Sequence, residues 1–237
     1  MDDLDPVPED WRRALAVVAH PDDLEYGGAG AVARWTRQGK QVIYLLVTRG
    51  EAGIDSIAPE EAGPLRTREQ IASAAVVGVD RVDFLDHPDG MIEYGLPLRR
   101  DIAAAIRRYR PDVVITANHR ERWPSGGSNM ADHRNVGLAV LDAVRDAANR
   151  WVFRDLEFDP WTGVRWVAVT SSPACTHAVD ITDTFDLAVA SLREHRAYLA
   201  ALAGDMADAE TFLRGAATEA GRRFGGRLAV SFELVTT

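Results

Sequence analysis

Short apolar runs alternate with helical patterns along most of this chain, and this alternation constrains the fold more than any other feature. Five runs rich in Val, Ile, Leu and Ala predict strands at residues 14–19, 41–48, 81–86, 112–118 and 165–170. Periodic apolar patterns predict helices at residues 28–39, 65–78, 96–109, 132–150 and 185–202. Nearly continuous apolar strands that alternate with helices are typical of a parallel sheet covered on both faces. The chain is therefore predicted to have an α/β fold, with a mostly parallel sheet and helices on both faces.

The domain organisation is predicted to be simple. The chain has 237 residues, of which 46% are hydrophobic, so it can bury a full core. Because no shift in composition marks a boundary, we expect one domain over residues 1–237, with residues 1–12 as a flexible N-terminal extension. After residue 202 the pattern indicates a helix and then a short strand within residues 227–235.

Composition narrows the possible partners. The formal net charge of −9 argues against sequence-independent nucleic-acid binding, which needs clustered Lys and Arg. The acidic N-terminus has no apolar core typical of a signal peptide, and no apolar run approaches the length of a membrane span. Cys175 is the single cysteine, so an intramolecular disulfide and a cysteine-based zinc site are excluded. These features predict a cytoplasmic protein without membrane insertion.

Polar, titratable residues follow four consecutive predicted strands. In folds of this class, ligands bind outside the carboxyl ends of the strands. The residues concerned lie at positions 20–23, 48–51, 86–87, 118–119 and 132–133.

The first of these segments, His-Pro-Asp-Asp at residues 20–23, contains residue types that can bind a metal ion. His20 and Asp23 are three residues apart in a turn, and His133 would join them if the first and fourth strands were neighbours. Two histidines and one carboxylate form a catalytic zinc set, which iron(II) also uses. Asp22 would then be the general base. The alternative is a surface turn with an aspartate helix cap and no metal.

A dinucleotide-binding motif overlaps the same region. Residues 28–33 fit G-x-G-x-x-A, and Glu51 lies about twenty residues on, where a ribose-binding acid belongs. This spacing would make the protein an NAD-binding oxidoreductase. However, residues 20–27 separate the motif from the strand, and a tight phosphate-binding turn has no place for them. We therefore interpret the small residues as positions where the first helix packs closely on the sheet.

Four segments together resemble a known family. The segment AHPDDLEYGGAGAVARWTRQGKQVIYLLVTRGEAG is similar to the opening of the LmbE-like (PIG-L) zinc-dependent N-deacetylases. LRTREQIASAAVVGV resembles their R-x-x-E helix, MADHRNVG their second metal motif, and HAVDITDTFDLAVASLREH their C-terminal segment. The resemblance spans about residues 13–200.

The resemblance implies a Rossmann-like fold and a hydrolase of the GlcNAc-PI de-N-acetylase type. Such an enzyme removes an N-acyl group, usually acetyl, from an amino sugar or related small molecule. By matching positions, His20, Asp23 and His133 would bind one Zn²⁺ per chain, or another divalent metal, with Asp22 as the base. Arg66 would hold the carboxylate end of the substrate or product. Members of the family often assemble, so a homo-oligomer is possible.

The chain departs from the family pattern in its second metal motif. Met-Ala-Asp-His occupies residues 130–133, where the family has His-Pro-Asp-His. Methionine cannot donate the hydrogen bond expected at the developing oxyanion, and loss of such a donor costs about 10²–10³ in rate. His177 is the predicted replacement, with His119 and His87 as alternatives, and Asp132 is expected to orient a ligand or that histidine. The alternative function is a metal-binding family member with lost or altered hydrolysis.

The loop at residues 119–131 is longer than the usual connection and carries Trp123. We interpret it as a substrate lid, with Trp123 against a sugar ring or apolar group. A contact between subunits is an equally good interpretation. Glu25 and Glu51 are interpreted as structural hydrogen-bonding residues.

Overall fold

The predicted apolar runs form the centre of an eight-stranded sheet in the computed structural model, which describes residues 3–237. The strands are β1 (Asp5–Pro6), β2 (Arg13–Val18), β3 (Gln41–Leu46), β4 (Arg81–Phe84), β5 (Val113–Ala117), β6 (Trp166–Thr170), β7 (His177–Asp180) and β8 (Ala229–Thr236). Their order in the sheet is β1-β7-β8-β6-β5-β2-β3-β4. All neighbours are parallel except β8, which runs antiparallel between β6 and β7.

Helices cover both faces of this sheet. They are α1 (Asp23–Gly27), α2 (Ala29–Arg37), α3 (Pro59–Val76), α4 (Leu96–Tyr109), α5 (Ala131–Ala148), α6 (Phe185–Arg193), α7 (Arg196–Ala201) and α8 (Ala209–Gly221), with a short 3₁₀ helix at Gly204–Ala207. Within residues 3–237, none of them combines the length and apolarity needed to cross a bilayer. The predicted α/β fold with a mostly parallel sheet is confirmed.

The core has two layers because the central strands are apolar on both faces. On one face Leu15 and Val17 of β2 pack with residues of α4 and α5, such as Ile106 and Val140. On the other face alternate residues of the same strands pack with α2, α3, α6 and α8. Residues 14–18 are each at most 1% exposed.

β2 is the strand that positions the candidate site. It pairs in parallel with β3 on one side and with β5 on the other. The chain leaves β2 towards one side of the sheet and returns beside it as β5, so the carboxyl ends of these strands meet at a topological switch point. The loop after β2 and the start of α5 are therefore brought together.

Two sequence predictions need correction. The described part of the predicted N-terminal extension, residues 3–12, is packed on the domain: β1 pairs with β7, and Leu4, Val7 and Trp11 are buried. The Trp11 ring meets that of Trp35 edge to face, with centroids 5.2 Å apart. The predicted 49–63 loop is also shorter, since α3 begins at Pro59, where the fixed φ of proline suits the first turn of a helix.

Candidate metal centre

The His-Pro-Asp-Asp segment forms a tight turn between β2 and α1. The backbone N–H of His20 donates a hydrogen bond to Asp23 Oδ2 at 2.9 Å, which closes the turn. Asp22 has a φ of 93°, in the left-handed region that L-residues seldom adopt. His20 and Asp22 are less than a tenth exposed. The turn therefore holds its polar side chains inside the protein rather than in solvent.

His20, Asp23 and His133 lie together, as the sequence predicts. His133 Nε2 is 3.2 Å from His20 Nδ1 and 2.9 Å from Asp23 Oδ1, and His20 Nδ1 is 3.7 Å from Asp23 Oδ2. A tetrahedral ion with bonds of about 2.0–2.1 Å separates neighbouring donor atoms by about 3.3 Å. The three side chains thus fit a bound divalent metal in both donor chemistry and spacing.

The opposite ring nitrogen of His20 faces two further carboxylates. His20 Nε2 is 3.0 Å from Asp89 Oδ1 and 3.2 Å from Asp132 Oδ2. Burial alone would lower the pKa of His20, but the hydrogen bonds with Asp132, Asp23 and Asp89 outweigh it and raise that pKa well above its usual value. A proton on Nε2 leaves Nδ1 directed at the donor set, which is how carboxylates commonly orient metal-ligating histidines.

Asp132 and Asp89 are held by backbone groups. Asp132 accepts hydrogen bonds from the N–H groups of Gly90 and Ile92, and Asp89 accepts one from Ala52. Asp132 thus lies where it could orient a predicted ligand, and this role stays a prediction. Sequence reasoning missed Asp89, although a signal exists: His-Pro-Asp at residues 87–89 follows β4 as His-Pro-Asp at residues 20–22 follows β2.

His133 is oriented by Asn129, which sequence reasoning also missed. Its Nδ1 lies 3.0 Å from Asn129 Oδ1, and the Asn129 amide donates to the carbonyl groups of Asn118 and Arg120. These bonds fix the amide with its oxygen towards His133, so Nδ1 carries the proton and Nε2 faces the donor set. The Trp123 ring meets His133 edge to face, with centroids 5.4 Å apart, so the structure places Trp123 beside the candidate site.

Asp22 is buried next to the donor set. Burial raises its pKa to about 6, against the opposing influence of Arg66. The charges of Asp23 and His20 also affect this pKa, so Asp22 lies within electrostatic range of the predicted metal ligands. A carboxyl group with a pKa near neutrality can both accept and release a proton.

Arg66 does not occupy the substrate-facing position that the resemblance implies. Its side chain is 2% exposed, and its guanidinium donates to the carbonyl groups of Gly50 and Pro21 and to Asp22 Oδ2 at 3.1 Å. The Tyr198 ring covers it, with the guanidinium carbon 4.2 Å from the ring centroid. In the structure Arg66 therefore holds the turn around Asp22, and its contact with the substrate stays a prediction.

The structure also places His177 far from the candidate site. It begins β7, and β8, β6 and β5 lie between β7 and β2. Four strand spacings of about 4.8 Å place it about 19 Å from the strand that carries His20. Its Nδ1 hydrogen-bonds with the Thr176 hydroxyl. This position does not support the predicted catalytic role of His177, because a histidine at the edge of a sheet can belong to a distant strand.

The two alternative histidines differ in their surroundings. His87 Nε2 lies 3.0 Å from Asp101 on α4. His119 packs against α5 at Gly137, one helical turn from His133, and burial lowers its pKa. Met130 precedes the first residue of α5 and is 44% exposed. His119 thus packs on the helix that carries His133, one turn further along it.

The glycine-rich motif packs against protein rather than forming a phosphate-binding turn. A Cβ on Gly30 would lie 2.9 Å from the Ile181 side chain, so a larger residue there would require Ile181 to shift. Glu51, the predicted ribose-binding acid, accepts hydrogen bonds from the backbone N–H groups of Arg49 and Asp89. This agrees with the close packing inferred from sequence and removes the geometric basis for a dinucleotide site.

Comparisons with known proteins point in one direction. A family model described as PIG-L: GlcNAc-PI de-N-acetylase matches residues 15–144, more than half of the chain. The diacetylchitobiose deacetylase of Thermococcus kodakarensis is 30% identical over 195 residues, which cover 78% of this chain and 70% of that protein. The N,N'-diacetylchitobiose deacetylase of Pyrococcus horikoshii, solved in complex with its inhibitor MPG, has a TM-score of 0.86 at 26% identity, covering 96% of this chain and 85% of that one.

A second relative comes from a different group of deacetylases. The 1D-myo-inositol 2-acetamido-2-deoxy-alpha-D-glucopyranoside deacetylase of Kineococcus radiotolerans is 31% identical over 170 residues. These cover 58% of this chain and 46% of that protein, so the chain spans about half the length of this relative.

Proposed function

Because this chain belongs to the PIG-L family of GlcNAc-PI de-N-acetylases, we propose that it is a metal-dependent hydrolase that removes the N-acetyl group from an amino sugar. The observation that carries the proposal is the convergence of His20, Asp23 and His133, with Asp22 buried in the same turn. The relatives compared above are named as deacetylases of diacetylchitobiose and of an acetamido sugar linked to inositol. We infer a similarly small N-acetylated sugar as substrate.

His20, Asp23 and His133 would hold the metal, for which Zn²⁺ is our first choice because two histidines and a carboxylate form a familiar catalytic zinc set. Iron(II) and other divalent metals also accept these ligands. When bound, such an ion polarises the acyl carbonyl group and makes water a stronger acid. Asp132 and Asn129 keep the two imidazole rings turned towards the metal position.

Asp22 is our candidate for the proton transfer. Its carboxylate would accept the proton that the attacking water loses, and would then deliver it to the leaving amine nitrogen. The products would be acetate and a free amino sugar. Arg66 donates to the Asp22 carboxylate and so holds it in place for both steps.

The substrate is expected to approach past the 119–131 loop. Trp123 presents an aromatic ring next to His133, which suits a contact with one face of a sugar ring. A single domain, a cytoplasmic location and a homo-oligomeric state remain predictions.

A second candidate function follows from Met130. A thioether cannot donate a hydrogen bond to a developing oxyanion. A family member that binds metal but has lost or altered its hydrolysis therefore remains an alternative, and His119 is the nearby residue whose presence would favour retained activity.

One experiment separates these functions. The purified protein and His20→Ala are analysed for bound metal by elemental mass spectrometry and for acetate release from N,N'-diacetylchitobiose and N-acetylglucosamine derivatives. We expect about one zinc per chain and acetate release, both lost in His20→Ala. Metal without turnover on every substrate would favour the second function. Absence of metal after zinc is added back would contradict both.

A further inference from the structure

The backbone at Asp22 has an unfavourable conformation, which contacts with other residues must stabilise. Its φ of 93° lies in the left-handed region, where a side chain crowds its own backbone. Strained positions of this kind persist only when surrounding contacts over-determine them. A contact with the Asp22 peptide group can therefore determine where the Asp22 carboxyl group lies.

Gln70 on α3 makes that contact. Its Oε1 accepts a hydrogen bond from the Asp22 N–H at 3.0 Å, and the Gln70 side chain is buried, with the residue 1% exposed. Arg66, one helical turn earlier on α3, donates to the Asp22 carboxylate. Gln70 and Arg66 thus lie on one face of α3, where one binds the backbone N–H of Asp22 and the other binds its carboxylate.

The orientation of the Gln70 amide is fixed by Glu25. Gln70 Nε2 donates to Glu25 Oε1 at 2.9 Å, and the Ser73 hydroxyl donates to the same oxygen at 2.8 Å. A flipped amide would place its NH₂ group against the Asp22 N–H and its oxygen against the Glu25 carboxylate, so both hydrogen bonds would be lost. Glu25 thereby determines which atom of Gln70 faces Asp22.

Glu25 itself is fully buried beside His195. Glu25 Oε2 lies 3.6 Å from His195 Nε2, and both side chains are inaccessible to solvent. A buried carboxylate is costly unless it is compensated by hydrogen bonds or an opposite charge. The chain thus maintains a buried polar network, built from α1, α3, α6 and the residue before α7, directly behind Asp22.

We propose that Gln70 is a positioning residue for the reaction: it holds the Asp22 peptide in its left-handed conformation so that the Asp22 carboxyl stays in place for proton transfer. Gln70 acts through Asp22 and does not contact the substrate. This inference rests on the proposed deacetylase function, in which Asp22 moves the proton.

Gln70→Leu tests the proposal because it removes both hydrogen bonds while keeping most of the volume. We expect kcat for acetate release to fall about 10- to 100-fold, since small misplacement of a catalytic group costs about 10²-fold in rate. KM and bound metal should stay within about twofold of the parent values, because Gln70 is not a metal ligand. In a crystal structure of the variant, we expect Asp22 to leave the left-handed region.

Thr184→Val is the matched control. Thr184 is buried outside the network behind Asp22, and its hydroxyl donates to the Gly30 carbonyl at 2.7 Å. The substitution should lower the melting temperature but leave kcat within about twofold. Equal kcat losses in Thr184→Val and Gln70→Leu would overturn the proposal, because general destabilisation would then explain both.

Gln70→Glu is the second variant, in case the first fails to fold. The new carboxyl group can accept from the Asp22 N–H, and in its neutral form it can also donate to Glu25, as the amide does. The ratio of its kcat to the parent kcat should therefore rise as the pH falls. A ratio that does not change with pH would count against the proposal.

The two proposals fail in different ways. A parent protein that binds metal but releases no acetate would refute the deacetylase function, and the role of Gln70 in the reaction with it; the Asp22 conformation in Gln70→Leu crystals would then show only whether Gln70 holds this residue. An active parent whose Gln70→Leu variant keeps both its kcat and the left-handed Asp22 would refute the positioning role alone.

Discussion

The turn at residues 20–23 and the loop at residues 119–131 lie on either side of His133, yet they are held in different ways. The turn is buried and tied to other elements: α3 through Arg66 and Gln70, and α5 through Asp132. The tip of the loop is exposed and bonds largely to itself, as in the paired backbone bonds from Trp123 to Gly127 and from Gly126 to Trp123.

This difference separates two tasks. Residues that must keep a fixed geometry for chemistry lie where the whole fold restrains them, which favours a pre-organised site. Trp123, which we propose meets the substrate, lies where the backbone is restrained locally, so residues there can change without disturbing the core. We therefore expect changes in the turn to affect kcat or metal affinity, and changes in the loop to affect KM.

Asp22→Asn should have the largest effect in the turn. Asn preserves the shape but cannot accept the proton, and loss of a general acid–base group typically costs about 10²–10⁴ in rate. Bound zinc should be unchanged, because Asp22 is not one of the three predicted ligands. Steady-state kinetics and metal analysis would check this, with exposed Asp86→Asn as control. Near-normal kcat in Asp22→Asn would remove Asp22 from the mechanism.

Asp132→Asn should weaken metal binding without removing a ligand. Asp132 accepts from two backbone N–H groups and faces His20 Nε2, and an amide cannot accept at both of its ends. Loss of a partner behind a metal ligand typically costs about 10- to 100-fold in affinity. Competition with a chromogenic chelator would measure it. Unchanged affinity would mean that Asp89 alone orients His20.

Trp123→Ala tests the loop side of the comparison. An aromatic contact worth about 0.5–1.5 kcal/mol predicts a two- to tenfold rise in KM, with kcat nearly unchanged. Trp151→Ala, at a side chain 71% exposed beyond α5, is the control. If Trp123→Ala leaves KM unchanged but alters the sedimentation of the protein, the loop is a subunit contact rather than a lid.

His177→Ala should have the smallest effect. It lies four strand spacings from β2, so kcat and KM should stay within about twofold of the parent, as for most substitutions away from a site. His119→Ala should lower kcat more than His177→Ala does, because His119 packs against α5 one helical turn from His133. A large kcat loss in His177→Ala would restore the original prediction and point to a subunit contact that brings the residue to another site.

Much of the fold was predictable because it depends on local pattern. The strands that became β2, β3 and β5 are apolar on both faces, and such runs have few alternatives to the centre of a parallel sheet. His20, Asp23 and His133 could be chosen because parallel strands bring their carboxyl ends to one edge, and β2 does adjoin β5.

What the sequence did not reveal depends on contacts between distant segments. Asp89, Asn129 and Gln70 reach the site from three different loops or helices, and only the repeated His-Pro-Asp segment offered a signal for one of them, Asp89. The burial of Arg66 was not predictable for the same reason: a buried guanidinium and an exposed one have the same sequence signature. The distance of His177 from the candidate site was not predictable, because strand order beyond the central strands is not encoded in any short motif.

The position of β8 has a consequence for how the molecule assembles. β7 is joined to the rest of the sheet only through β8 among the described residues, and β1 in turn pairs with β7. Residues 5–6 therefore find their place in the sheet only through a strand more than 220 positions further along the chain. Contacts of such high sequence separation carry a large loop-closure entropy and form slowly. The β1–β7–β8 edge should be the last part of the sheet to gain hydrogen-exchange protection during refolding, after β2, β3 and β5 are already protected.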